Sequence, residues 1–571
     1  MKNNSNPLAR IRILSLAIFV FAAILVSRLF LVQVVHTNKY SELADKQYST
    51  PSGDIFERGS IFFKSKDGRL VDAATLTNGF KVAITPKLII DPEATYTLLL
   101  PIISFDHDTF ISRASKKNDV YEEVINHLSK EQADAIEALK IKGVSIYKEK
   151  WRFYPGGTLA SQTLGFVAYQ GNDFSGRYGL ERYYNDFLSR NKEDLNINFF
   201  AEVFSNIGNT IFENDKKEGD IVTSIEPTVQ NFFEGELKSI EEKYTADLVG
   251  GIIINPKDGS IYALGVMPDF DLNTFGKVKD PLTYSNPLVE NVYELGSVIK
   301  PLVMAAGIDA GVVTADTKYN DLGYVTVNTK RINNFDGKGR GVIPMQEVLN
   351  QSLNTGMVFV MQKLGRERFS DYMLGYGIEQ KTGIDLPHET ASLVSNMHSP
   401  RDVEYATASF GQGIALTPMA AVRAFSALAN GGYLIQPHIM TDIKYTDGSI
   451  EHRDYPTQPT TLKKESTAEI TRMLVKLVDV SLGEGKVKLP NFSVAAKTGT
   501  AQIARPDGGG YYDDRLLHSF FGYFPAYNPK FLVFLYAVNP HGEKYASRTL
   551  TTPFINTAKF LLNYYQVPPD R

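Results

Sequence analysis

Glu294-Leu295-Gly296-Ser297-Val298-Ile299-Lys300-Pro301-Leu302 carries the most informative spacing in the chain. Gly296 permits a tight entry, Pro301 fits a first helical turn, and residues 302–308 continue as an apolar run, which predicts a buried helix. Ser297 and Lys300 would share one helical face, so an amine could act as base toward a hydroxyl. The dipole at such a helix start also favours a nearby oxyanion. Taken alone, the stretch reads at least as well as a Ser N-cap followed by an exposed Lys. Ser-x-x-Lys occurs three times, at Ser145/Lys148, Ser189/Lys192 and Ser297/Lys300. About two matches are expected by chance in a chain this long. The first alternates like a strand, which sends its side chains to opposite faces, and the second lies in a charged stretch read as a solvated turn.

Two further elements give Ser297 its context. Ser352-Leu353-Asn354 lies in a helical or turn setting, where a second hydroxyl and an amide could relay a proton and orient a lysine. Lys497-Thr498-Gly499-Thr500 follows residues 492–496, read as a strand. A strand edge ending in small residues can pair with an extended peptide, with Lys497 attracting a carboxylate and backbone N–H groups facing an oxyanion. A second Lys-Thr-Gly, at Lys381-Thr382-Gly383, has no strand before it and is read as a loop.

Composition narrows the chemistry to such groups. The 571 residues contain no Cys, which excludes disulfide scaffolds, iron–sulfur clusters and cysteine nucleophiles. Nine His, none in a ligand-type pair, argue against a metal site. A net charge of −4 argues against a nucleic-acid binder. At 43% hydrophobic and 22% charged, the chain has the balance of a folded protein.

Residues 13–27 carry no charge, Arg28 interrupts, and 29–35 resume the apolar run. As a helix, 13–35 would span about 35 Å, enough for a bilayer core of about 30 Å. Lys2, Arg10 and Arg12 precede it, which places residues 1–12 as a cytoplasmic tail and the remainder outside the cell membrane, single-pass. The run is longer than a signal-peptide core and no small-x-small cleavage site follows. Residues 36–218 are patchy, with a strand at 80–84 and an amphipathic helical patch at 119–139. From about 219 the pattern is more regular, with a helix at 229–244, strands at 248–255 and 260–266, a helical middle, and strands again near 491–539. This reads as a mixed α/β domain over 219–571, and residues 507–510 as a mobile loop.

Ser-x-x-Lys, Ser-x-Asn and Lys-Thr-Gly in this order form a serine–lysine acyl-transferase signature. With them the chain resembles a class B penicillin-binding protein, most like the cell-division branch. Arg58-Gly59-Ser60-Ile61, Phe153-Tyr154-Pro155, Gly179-Leu180-Glu181, Ser409-Phe410-Gly411-Gln412-Gly413 and the tail from Tyr564 to Asp570 resemble other segments of that family. Leu295, Ile299 and Leu353 depart from its usual Pro, Phe and Ser, all between the motif positions.

The resemblance implies an α/β (α+β) architecture: a single N-terminal transmembrane helix, a mixed pedestal domain over 36–218, and a transpeptidase domain with a central antiparallel sheet flanked by helices. It implies a membrane-anchored D,D-transpeptidase that cross-links peptidoglycan stem peptides, in septal wall synthesis. Ser297 would be the nucleophile, Lys300 its base, Ser352 a proton relay and Asn354 the holder of Lys300 and of the substrate amide. Lys497 and Thr498 would bind the terminal carboxylate or a β-lactam, with Gly499 beside them, and the N–H groups of Ser297 and Thr500 would face the oxyanion. No cofactor or metal is implied. A polytopic SEDS-type glycosyltransferase and other divisome membrane proteins are the implied partners. The alternatives are an elongation-type transpeptidase, an idle scaffold that still binds penicillin, a tethered β-lactamase or β-lactam sensor, and a D,D-carboxypeptidase. Trp151 is read as pedestal packing and His518 as a strand residue rather than a base.

Overall fold

The computed structural model describes residues 57–170, 173–190, 218–506 and 508–571, with Phe21 alone from the N-terminal segment. The expected membrane-spanning helix at 13–35 otherwise lies outside the described residues. Among the described residues no helix is long and apolar enough to cross a membrane. The chain divides into two compact units.

The smaller unit is built on Leu76–Trp151. Its strand Glu122–Leu128 runs antiparallel to the end of strand Leu70–Ile84, with Phe80 opposite Leu128 and Ile84 opposite Glu122. Helices Pro92–Leu99, His107–Ala114 and Lys130–Ala138 add Leu99, Phe110 and Ile136 to a core that includes Val82 and Ile84. The helical patch expected at 119–139 is therefore half strand. The reason is local: Val124 and Ile125 favour extended backbone, and Ser129 with Gln132 forms a reciprocal capping box that starts the helix only at Lys130. Trp151 stacks on His127 at 4.3 Å.

The larger unit comprises Arg58–Thr75 and Arg152–Arg571. A buried ionic cluster ties its early segments together. Glu181, fully buried, accepts from Arg58 Nε and Arg152 Nε at 2.6 Å each, and Arg58 also donates to the Glu181 carbonyl at 2.7 Å. Burial acts against the Glu181 carboxylate, but the guanidinium charges of Arg152 and Arg58 hold its pKa below the ordinary value.

The framework of this unit is a five-stranded antiparallel sheet flanked by helices. Its elements are α1 (Pro227–Tyr244), β1 (Leu248–Ile254), β2 (Ile261–Met267), α2 (Lys300–Asp309), α3 (Asn354–Leu364), α4 (Pro418–Ala429), α5 (Lys464–Val480), β3 (Ala495–Ala504), β4 (Tyr511–Phe524), β5 (Phe531–Val538) and α6 (Thr551–Tyr564). Strand order is β3-β4-β5-β1-β2, which leaves β3 at one edge. Neighbouring residues of β4 face opposite ways, and each recruits a different helix. Phe520 stacks on Phe554 of α6 at 4.4 Å, while Phe521 stacks on Phe425 of α4 at 4.0 Å. Tyr523, on the side of Phe521, meets Thr471 of α5 through a 2.8 Å hydrogen bond. Phe232 of α1 stacks on Phe560 of α6 at 3.9 Å, so these two helices share the other face.

The strand expected at 492–496 instead begins at Ala495 and contains the whole Lys-Thr-Gly motif. Ser493 is held out of the sheet, with its N–H on Asp570 and its carbonyl accepting from Ala526. Ser145 and Lys148 lie in strand Val144–Phe153, as their alternation predicts. Lys381-Thr382-Gly383 is a loop, held by Glu389 through the Thr382 hydroxyl. Ser189 is not in a solvated turn: it bridges to Arg58 and accepts from that guanidinium, while Lys192 lies outside the described residues.

Candidate active site

A short 3₁₀ turn, Gly296–Ile299, leads directly into α2, with Ile299 at the cap position. Ser297 is therefore not the helix cap. It lies in the turn before the helix, half-buried, and its carbonyl accepts the N–H of Lys300. Pro301 sits in the first turn of α2 and needs no hydrogen-bond acceptor there. Lys300 is 0% exposed, which removes the reading of an exposed lysine. Leu295, Ile299 and Leu353, the departures from the family pattern, are all buried and act in packing.

Three segments fix the Ser297 turn. Gly296 donates its N–H to the Gly411 carbonyl at 3.1 Å. Ser519 of β4 donates its hydroxyl to the Leu295 carbonyl at 2.7 Å. Gly499 of β3 lies against the same turn: a Cβ there would stand 2.4 Å from Ser519 Oγ, 2.6 Å from the Leu295 carbonyl oxygen and 3.0 Å from Val298 N. No side chain fits, and this close approach brings the edge strand beside Ser297. Thr500, one residue on, is anchored by the N–H of Ala546, which its hydroxyl accepts at 3.0 Å.

The side chains of the three motifs converge. Lys300 Nζ donates to the Ser352 carbonyl (2.5 Å), Ser352 Oγ (3.2 Å) and Asn354 Oδ1 (2.9 Å). Lys497 Nζ donates to Ser352 Oγ (3.0 Å) and to the Thr498 carbonyl (2.8 Å). The Ser352 hydroxyl thus stands between two amines. Ser352 has a φ of +54°, a left-handed conformation costing about 1–3 kcal/mol for a residue with a Cβ. Its turn is closed by Leu353 N–H on the Val348 carbonyl, and Asn354 opens α3.

Neither lysine has a carboxylate partner among the described residues. Burial, then the neighbouring Lys497 charge, pushes the Lys300 amine well below the usual lysine range. Burial alone brings Lys497 down to about 7. Such a pair supplies one amine able to take a proton and one able to meet an anion near neutral pH. His518 is fully buried in β4, bonded to Thr549 and the Lys544 carbonyl, and burial lowers it to about 4. Glu294 accepts from Tyr511 at 2.9 Å, and burial raises its carboxyl.

All eight residues singled out by the sequence thus lie in the larger unit, around the α2 entry, the Ser352 turn and β3. Ser519 and Gly411, which fix the turn, went unnamed as site residues, and so did Asn333, whose carbonyl accepts from Asn354 Nδ2 at 3.0 Å. Only Gly411 carried a signal, through the Ser409–Gly413 segment.

Known proteins share this organisation. Residues 249–558 match the model of the penicillin binding protein transpeptidase domain, and residues 57–223 that of the penicillin-binding protein dimerisation domain. The chain is 30% identical to stage V sporulation protein D of Bacillus subtilis over 561 residues, covering 96% of this chain and 85% of that protein. It is 24% identical to peptidoglycan D,D-transpeptidase FtsI of Buchnera aphidicola, covering 97% and 94%. In fold it is similar to the crystal structure of penicillin binding protein 2X from Streptococcus thermophilus, with a TM-score of 0.71, 20% identity, and coverage of 90% of this chain and 81% of that one.

Proposed function

The chain belongs to the class B penicillin-binding proteins, and on that premise we propose that Ser297 carries the acyl-enzyme of a peptidoglycan D,D-transpeptidase. The observation that carries this is Lys300: three residues from Ser297, fully buried, and donating only to neutral oxygens. A buried amine with no countercharge favours its neutral form and can accept the serine proton.

In this reading Ser297 Oγ attacks the carbonyl between two terminal D-Ala residues, and its proton passes to Lys300. The N–H groups of Ser297 and Thr500 stabilise the oxyanion. Ser352, between Lys300 and Lys497, returns a proton to the departing D-Ala, while Asn354 orients Lys300 and the substrate amide. Lys497, with Thr498 and Gly499 on the edge strand, receives the terminal carboxylate, and a β-lactam uses the same contacts. An amine from a neighbouring stem peptide then resolves the acyl-enzyme and completes the cross-link.

The cellular setting belongs to the same proposal. The apolar run at 13–35 after Lys2, Arg10 and Arg12 supports a single-pass anchor with the catalytic unit outside the cell membrane. A SEDS-type glycosyltransferase and divisome membrane proteins are the partners we propose, and septal synthesis the role. The 30%-identical relative is named for sporulation, which supports a second reading: cross-linking of the wall made during spore formation. A fluorescent fusion at midcell in growing cells favours the first, and one confined to sporulating cells the second. Acylation is tested with Ser297→Ala. A fluorescent penicillin should label the wild type covalently and leave the variant unlabelled, and full labelling of the variant overturns the assignment.

A further inference from the structure

Asn354 meets Lys300 through Oδ1 and the Asn333 carbonyl through Nδ2, so both ends of its amide are fixed. Asn333 ends the hairpin formed by strands Tyr324–Val327 and Lys330–Asn333. The next residue, Asn334, is 3% exposed, and its Nδ2 lies 3.0 Å from both carboxylate oxygens of Asp321. Its Oδ1 accepts the N–H of Thr355, the residue after Asn354, at 3.2 Å. Asp321, 2% exposed, also accepts from the Thr355 hydroxyl (2.8 Å) and from the N–H groups of Gly323 and Arg340 (3.0 Å each). The Arg340 side chain in turn donates to Gln351 Oε1 at 3.0 Å, one residue before Ser352.

From this arrangement we infer that Asp321 is a positioning residue for the reaction: it holds the Asn333 carbonyl and the start of α3 in register, and so aims Asn354 at Lys300. The chemistry requires a carboxylate. Four donors converge on it, two of them backbone N–H groups, and an amide in its place would face at least one of them with its own N–H. Asp321 touches neither Ser297 nor Lys300; it acts through Asn334, Thr355 and Asn354. The inference rests on the proposal that Ser297 and Lys300 carry acylation.

The test compares wild type, Asp321→Asn, Thr355→Val and Thr355→Ser as full-length protein. It measures the second-order rate of acylation by a fluorescent penicillin across pH, with thermal unfolding alongside. Asp321→Asn and Thr355→Val should acylate about 10- to 100-fold more slowly, the effect of a misplacement near 1 Å. Thr355→Ser, which keeps the hydroxyl, should stay within about threefold of wild type. Lys300 faces Ser352, Asn354 and Lys497. Loss of the Asn354 acceptor disfavours its ammonium form, so the acid limb of the rate profile should move to lower pH in the two slow variants. Rates within twofold of wild type overturn the inference, as do losses that follow the unfolded fraction with the limb unmoved. If the wild type itself is not labelled at Ser297, it is the acylation proposal that fails.

Discussion

Replacing Lys497 with Met should stabilise the protein in acid and destabilise it in alkali. A lysine held at about 7 instead of 10.5 corresponds to about 5 kcal/mol, at about 1.4 kcal/mol per pH unit. Below pH 7 the amine is protonated in both the folded and unfolded states, and the folded state bears the whole cost of burying the cation. Between pH 7 and 10.5 the unfolded chain binds the proton more tightly, so this cost shrinks as pH rises and vanishes above 10.5. Met fills a similar volume without charge. It also leaves the Thr498 carbonyl and Ser352 Oγ short of a donor, a loss of about 1–3 kcal/mol at every pH. At pH 6 the variant should therefore be more stable by about 2–4 kcal/mol. At pH 10 only about 1 kcal/mol of burial cost remains, and the variant should be equal or less stable by up to about 2 kcal/mol. Urea unfolding of the two proteins at both pH values measures the difference, and penicillin acylation of the variant should be lost throughout. A variant less stable than wild type at pH 6, or a stability difference unchanged between pH 6 and 10, would refute the reasoning that this cation is buried at a cost.

Two other substitutions probe the frame around the site. Gly499→Ala places a methyl 2.6 Å from the Leu295 carbonyl oxygen, so β3 must move away from the Ser297 turn. Acylation should fall by about 100-fold or more, read as the labelling rate, while the protein remains folded. Glu181→Gln leaves Arg58 and Arg152 buried without their countercharge. It should cost about 3–5 kcal/mol in denaturant unfolding, and a loss under about 1 kcal/mol would show that the cluster is not the tie between these segments.

What the sequence revealed follows from the range over which each feature is specified. Ser297 and Lys300 are about one helical turn apart, so their spacing is written in four consecutive residues. The buried run after Pro301 likewise predicts α2, and short apolar runs on either side of the 257–259 turn mark β1 and β2 as strands. The smaller unit was harder, because Ser129 and Gln132 set a helix boundary that hydrophobic periodicity alone passes over. The buried ionic cluster was illegible for a different reason: Arg58, Arg152 and Glu181 meet across as many as 123 residues, and no local pattern announces such a contact. Asp321 and Asn334 are the same kind of case at the site itself. Each is an isolated polar residue in turn-rich sequence, and only the fold brings them beneath Asn354.

The packing of the Ser297 turn also bears on how this enzyme can vary. Gly499 has no room for a methyl group, and a Cβ on Gly411 would stand 2.1 Å from the Gly296 carbonyl oxygen. The partners of the turn are mostly backbone atoms, so a drug-resistant lineage has almost nothing there to alter without also losing its own wall chemistry. Exposed side chains outside the turn, such as Phe335 and Tyr545, whose rings meet edge-to-face at 6.1 Å, are not bound by that packing. Change that spares the Ser297 turn is therefore confined to side chains the turn does not touch.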